Sequence, residues 1–238
     1  MGPRAIITID GPAGAGKSTV AKLLAATLGY LYLDSGALYR LVAWQSARLR
    51  LDLADARALS EFLEGLQPEM TTDSQGFHLW VDGLEATPFL REPQVSQQSS
   101  RVAILPPVRT WVTGKLRQWA QNGGVVAEGR DLGTVVFPQA ECKFYLDAAL
   151  ETRAARRRRE WQKDETPLSP EKVAQELADR DRRDANRAAA PMRAAADAVV
   201  IDTTDLNPQE VVKQCLARIG EVLPGAAGPE IKLEMKTG

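Results

Sequence analysis

The stretch Asp10-Gly-Pro-Ala-Gly-Ala-Gly-Lys-Ser-Thr19 lies between an apolar run of strand character, Ala5-Ile-Ile-Thr-Ile9, and a helical run that opens at Val20. It fits G-x-x-x-x-G-K-[ST], with Gly11, Gly16, Lys17 and Ser18 in the fixed places and Pro12, Ala13, Gly14 and Ala15 between them. The glycines let the chain turn without Cβ clashes, so that successive N–H groups and the positive end of the following helix aim at a polyphosphate. Lys17 can then reach the outer phosphates, the Ser18 hydroxyl can ligate Mg²⁺, and Thr19 carries the cradle into the helix.

Outward from this loop, Gly29 reads as a helix stop and Tyr30-Leu-Tyr-Leu33 as a second strand ending at Asp34, with Ser35 placed to cap the next helix. Three more short apolar runs, Val125-Val-Ala127, Cys142-Lys-Phe-Tyr-Leu146 and Ala198-Val-Val-Ile201, are separated by segments long enough for helices. Five such runs interleaved with helices predict an α/β fold with a five-stranded parallel sheet covered on both faces. Ligands of such sheets gather beyond the carboxyl ends of the strands. Residues 11–19, Asp34, Ser35, residues 128–131 and Asp147 are therefore expected along one rim.

Between the strands, residues 53–66 read as a helix. From Gln67 the pattern changes to two short strands, Glu69-Met-Thr-Thr72 and Gly76-Phe-His-Leu-Trp-Val-Asp-Gly83, forming a small β insert. Helices follow at about 94–105 and 108–121, interrupted by Pro106-Pro107. Ser169-Pro170 is a helix start, and that helix ends near Asn186. After a last helix at about 208–222, the Gly, Pro and charges of residues 224–238 suggest a disordered tail.

The balance of 30 Lys+Arg against 31 Asp+Glu gives no whole-molecule field for a polyanion, so nucleic acid is not expected as a partner. Cys142 and Cys215 sit in apolar runs as core thiols, indicating neither a disulfide framework nor a metal site. With no long apolar run and no secretory pattern, a soluble, cytoplasmic, single-domain monomer without membrane association is expected.

Arginines crowd the predicted rim: Arg40, Arg109, Arg130, Arg180 and Arg187 lie in or near it, and guanidinium clamps phosphate oxygens bidentately. Arg180, Asp184 and Arg187 fall at i, i+4 and i+7, on one helical face, although spacing alone more often marks a solvated ladder of ion pairs. Arg153 and Arg157, four apart after the fourth strand, are candidate lid arginines; the same run read plainly is a solvated surface or a weak RNA patch.

Together with the phosphate loop, the blocks Leu33-Asp-Ser-Gly-Ala-Leu-Tyr-Arg40, Glu128-Gly-Arg-Asp-Leu-Gly-Thr-Val-Val-Phe-Pro138 and Arg180-Asp-Arg-Arg-Asp-Ala-Asn-Arg-Ala-Ala-Ala-Pro191 resemble the bacterial cytidylate kinases over nearly the whole chain. The resemblance implies a P-loop kinase core at residues 1–66, 102–153 and 186–223, an enlarged nucleoside-monophosphate-binding insert at about 67–101, and a helical lid at about 154–185. It implies phosphoryl transfer from ATP, with Mg²⁺, to CMP or dCMP. Lys17, Arg130 and Arg187 are then the catalytic cations, and Arg153 and Arg157 join the phosphate loop on the ATP side. Ser35, Arg40, Arg130 and Arg187 surround the acceptor phosphate, Arg180 and Asp184 meet the sugar, and Ser100, Arg109 and Asp131 meet the base. Where such kinases usually carry Asp-Gly-Arg-Asp, this chain has Glu128-Gly-Arg-Asp131, a longer first side chain for any contact with Mg²⁺-bound water.

The chemistry agrees with that implication on its own terms. Cytosine offers an N4 amino donor where uracil offers an O4 acceptor, so a carboxylate such as Asp131 attracts one and repels the other. A phosphate acceptor is already anionic and needs no base, which suits a chain whose one histidine, His78, falls in a peripheral insert as a structural residue. A kinase of the same architecture acting on UMP, AMP, shikimate or a sugar acid is the main rival. A GTPase-like switch would need an Asn-Lys-x-Asp signature, which is not found.

Overall fold

β1 (Ile6–Asp10) enters the phosphate loop and leaves it as α1 (Lys17–Leu28). The computed structural model describes residues 4–73, 76–161, 169–187 and 189–224. The chain continues through β2 (Leu31–Asp34), α2 (Ser35–Arg48), α3 (Ala56–Gly65), β3 (Glu69–Asp73), β4 (Gly76–Val81), β5 (Leu84–Glu85), α4 (Pro93–Val102) and α5 (Pro106–Trp119). It closes with β6 (Val125–Glu128), β7 (Cys142–Asp147), α6 (Leu150–Trp161), α7 (Pro170–Ala185), β8 (Val199–Asp202) and α8 (Pro208–Val222). The tail expected to be disordered lies, apart from Pro224, outside the described residues, as do residues 162–168 of the expected lid and Ser74 and Gln75 of the insert.

The sheet is parallel throughout, in the order β2-β6-β1-β7-β8. Every residue of β6 and all but the first of β1 are buried, so the central strands are covered on both faces. α1 and α8 pack against each other beside β6, β2 and β7, while α2 packs with α4 and α5. Helix ends follow local chemistry. α1 stops at Gly29 in the left-handed conformation, and α8 opens on a capping box between Asn207 and Glu210. The cap of α2 is Asp34, whose carboxylate accepts from Ala37 N–H at 3.0 Å; Ser35, expected there, is the first helical residue instead. A carboxylate at the strand end reaches the free N–H groups one residue earlier than the hydroxyl would. α3 likewise starts three residues later than expected, because Asp55 caps it.

The insert has a third strand beyond the two predicted: β3, β4 and β5 form an antiparallel sheet. Phe77, Leu79 and Val81 alternate onto its buried face and join the main apolar core. His78 points the other way, and its Nδ1 lies 2.7 Å from Glu85 on β5, so it has a carboxylate partner that the sequence reading did not supply. A second small apolar cluster of Ala13, Ala154, Val173 and Leu177 seats α6 and α7 against the phosphate loop. Cys142 and Cys215 are both buried and free. No helix among the described residues is long and apolar enough to cross a membrane.

Candidate active site

The phosphate loop is shaped by contacts that leave no room for side chains. At Gly11 the backbone has φ +139°, and a Cβ there would lie 1.9 Å from the Leu146 carbonyl oxygen on β7, so only glycine lets the loop press on the neighbouring strand. Lys17 is buried at the head of α1, and its Nζ donates to the Pro12 carbonyl at 2.6 Å. Burial, then the positive charges of Arg130 and Arg180, pull its ammonium down to about 7. Ser18 and Thr19 are exposed on the outer side of the same turn.

Arg153 braces this loop from α6. Its Nε donates to Ala148 O at 2.9 Å, and its Nη1 donates to Ala13 O at 3.2 Å and pairs with Asp181 of α7. Read from sequence as a lid arginine, it is therefore a buried cross-link between α6, α7 and the loop. Truncating it strands the Asp181 carboxylate, so Arg153→Ala should cost about 3 kcal/mol of stability. Thermal denaturation should show this as a midpoint lowered by roughly 6–12 °C.

The strand register lines the carboxyl rim with acids. Ile9 pairs with Glu128, Asp34 with Glu128, and Asp147 with Asp202, while Asp10 sits one residue past Ile9. Each has a local duty. Asp10 accepts from Leu132 N–H at 2.9 Å and Gly133 N–H at 2.8 Å, and burial pushes its carboxyl up to about 6 despite those bonds. Asp34 caps α2 and pairs with Arg40 at 2.6 Å, and Asp147 accepts from Ala148 N–H at 2.8 Å. Glu128 receives the Tyr32 hydroxyl at 2.5 Å, with Ser18 close by; burial, then the neighbouring Asp34 charge, raise its pKa. Ser35 donates to the Glu128 carbonyl at 2.8 Å, which ties α2 to the end of β6.

Several guanidinium groups gather within electrostatic reach of Lys17 or of one another. Arg130 bonds Asp184 at 3.2 Å and lies within electrostatic reach of both Lys17 and Arg180. Arg180 is half-buried in this company, its Nε out of reach of solvent, with Arg40 and Arg157 within electrostatic reach; burial and the other cations lower its pKa to about 9. Arg187 lies beyond the end of α7, where Asn186 is the C-cap, so it is not on the helical face with Arg180 and Asp184 that spacing suggested. The turn nonetheless returns it to them: its Nε donates to Asp184 O at 3.3 Å, and its Nη2 lies 3.7 Å from Asp131. Arg180 Nε and Arg187 Nη2 are buried without a hydrogen-bond partner. Buried cationic donors of this kind are completed by an anion.

Arg109 of α5 bonds Asp131 and donates to Ala103 O at 3.2 Å, with its guanidinium 5.8 Å from the Tyr39 ring. Asp131 is buried, and that burial raises its pKa against the pull of Arg109 and Arg187. The Ser100 hydroxyl turns into its own helix and donates to Gln97 O at 2.9 Å. Sequence reading missed Tyr32 as the partner of Glu128 and Tyr39 beside Arg109, since neither tyrosine falls in a motif that names its neighbour. No group of three or more His, Cys, Asp or Glu side chains among the described residues is arranged to hold a metal.

A parallel five-stranded sheet whose first strand turns through a glycine loop into a helix headed by lysine defines a P-loop kinase fold. The family model for cytidylate kinase matches residues 7–221. A cytidylate kinase of Pelotomaculum thermopropionicum is 45% identical over 214 residues, covering 90% of this chain and 95% of that protein. One from Geobacillus thermodenitrificans is 42% identical over 221 residues, covering 93% of this chain and 99% of that protein. Among solved structures, an uncharacterized protein from Eubacterium ventriosum shares the fold with a TM-score of 0.51 at 12% identity, over 91% of this chain and 98% of that one. The chain belongs to the cytidylate kinase family.

Proposed function

We infer that this protein transfers the γ-phosphoryl group of ATP to CMP or dCMP, giving ADP and CDP or dCDP. The observation that carries the reading is the cluster of Arg130 and Arg180 within electrostatic reach of Lys17, joined through Asp184 to Arg187, in which Arg180 Nε and Arg187 Nη2 are buried without a hydrogen-bond partner. Residues 11–19 cradle the ATP phosphates and Lys17 meets the transferring group. Ser35, Arg40, Arg130 and Arg187 hold the acceptor phosphate, Arg180 and Asp184 the sugar, and Ser100, Arg109 and Asp131 the base, while Arg153 and Arg157 serve the ATP side. Arg157, within electrostatic reach of Arg180, is the lid arginine offered from α6. An anionic acceptor oxygen needs no general base, so catalysis consists of alignment and neutralisation of charge.

Mg²⁺ fits this donor set. It keeps much of its water and takes few protein oxygens alongside substrate phosphates. The exposed Ser18 hydroxyl, with the Glu128 carboxylate behind it, offers that and no more. When bound, the metal neutralises charge on the phosphates. The near-even charge balance supports small nucleotides, rather than nucleic acid, as partners of a cytoplasmic monomer.

An ADP-release assay with ATP over CMP, dCMP, UMP and AMP tests the reading. Turnover should be confined to the cytidylates, and equal rates on all four would overturn it. UMP as the acceptor finds no support in the relatives, which are named as cytidylate kinases. A pH experiment follows from Lys17. Its pKa falls from 10.5 in the unfolded chain to about 7 in the free protein, so between those values the unfolded chain holds the extra proton. Stability of the free protein therefore rises with pH through that window. A bound polyphosphate restores the charge, so ATP binding at about pH 8 should take up close to one proton. Calorimetry in buffers of different ionisation enthalpy measures this, and heats that do not depend on the buffer would refute it.

A further inference from the structure

Tyr32 of β2 is buried, and its phenol donates to Glu128 Oε1 at 2.5 Å. The same carboxylate lies close to Ser18, pairs in register with the negative Asp34, and has the Lys17 ammonium within electrostatic reach. Two contacts hold the tyrosine ring. Phe77 of the insert meets it edge-on, with centroids 6.2 Å apart and planes at 83°, and Lys22 Nζ lies 5.6 Å from its centroid.

A glutamate has three side-chain torsions, so burial alone does not fix where its carboxylate sits. Repelled by Asp34 and attracted by Lys17, a Glu128 without the phenol would swing toward the ammonium and engage the cation meant for phosphate. We propose that Tyr32 is a positioning residue: held by Phe77, its hydroxyl keeps the Glu128 carboxylate behind Ser18 and away from Lys17. The proposal rests on the reading of Ser18 as the side chain that faces Mg²⁺. It assigns to the insert, through Phe77, a hold on the donor side of the site as well as the acceptor side.

Tyr32→Phe removes the hydroxyl and keeps the ring. Mn²⁺ affinity in the complex with a non-hydrolysable ATP analogue, read by electron paramagnetic resonance, should fall about tenfold, as loss of a hydrogen bond behind a metal ligand usually does. kcat should fall by a similar factor, with KM for CMP unchanged. In a Glu128→Gln background the same change should do nothing further to Mn²⁺ affinity, because the phenol acts through that carboxylate. An unchanged Mn²⁺ affinity accompanied by a lowered melting temperature would reduce Tyr32 to a packing residue and overturn the proposal. So would equal losses in the two backgrounds. A wild-type protein that binds no Mn²⁺–nucleotide and phosphorylates no CMP would instead overturn the functional reading beneath it.

Discussion

Replacing Lys17 with alanine should lower turnover at least about a thousandfold, or about 4 kcal/mol of transition-state stabilisation, and leave the folded protein no less stable. The two halves of this expectation have one cause. Lys17 is buried, and both its desolvation and the charges of Arg130 and Arg180 oppose its ammonium. Removing it relieves that opposition and gives up one hydrogen bond, to the Pro12 carbonyl. The same opposition is what a polyphosphate reverses, so the lysine is stabilised most when charge gathers on the moving group. Single-turnover kinetics and a melting curve on the same sample test both halves. Turnover within tenfold of wild type would remove Lys17 from the transferring phosphate, and a large loss of stability would mean that its bond to Pro12 holds the loop together.

The second large effect concerns choice of acceptor. Asp131→Asn should lower kcat/KM for CMP about a hundredfold or more while that for UMP holds steady or rises, because an amide donates to uracil O4 where the carboxylate repels it. Arg109 bonds Asp131 from α5 and Arg187 approaches it from beyond α7, so the carboxylate is held in place before any base arrives. The substitution removes the charge partner of a buried guanidinium and should also cost about 3 kcal/mol of stability. ATP affinity, read by calorimetry, should stay near wild type, which separates lost base reading from general loosening. Discrimination against UMP that survives the change would assign base reading to another group.

The sheet and the phosphate loop were legible because they are local. Runs such as Val125-Val-Ala127 and the spacing of Gly11, Gly16, Lys17 and Ser18 carry their meaning within a few residues. The third strand of the insert, Leu84–Glu85, is too short to show a period, and only its pairing with Trp80 and Val81 makes it one. Which helix cap acts at Asp34-Ser35 depends on backbone angles that composition does not reveal. Arg153 looks in sequence like any member of a basic run, and its place against Ala13 and Asp181 follows from how α6 crosses the loop. Tyr32 and Glu128 are 96 residues apart, and their contact exists only because β2 and β6 are neighbours in register. The charged cluster was visible as a list of arginines. The return of Arg187 to Asp184 by a turn, instead of on a helix, was not.

Asp10 opens the ATP loop, yet its carboxylate grips the backbone of Leu132 and Gly133, the residues that directly follow Arg130 and Asp131. The phosphate loop and the segment that follows β6 are thus bolted to one another. A transplant of residues 129–133 from a kinase with a different appetite would tilt the ATP seat along with the nucleobase reader. The insert, attached by the apolar contacts of Phe77, Leu79 and Val81, shares this coupling, because Phe77 meets Tyr32 and a change there would reach Glu128 as well.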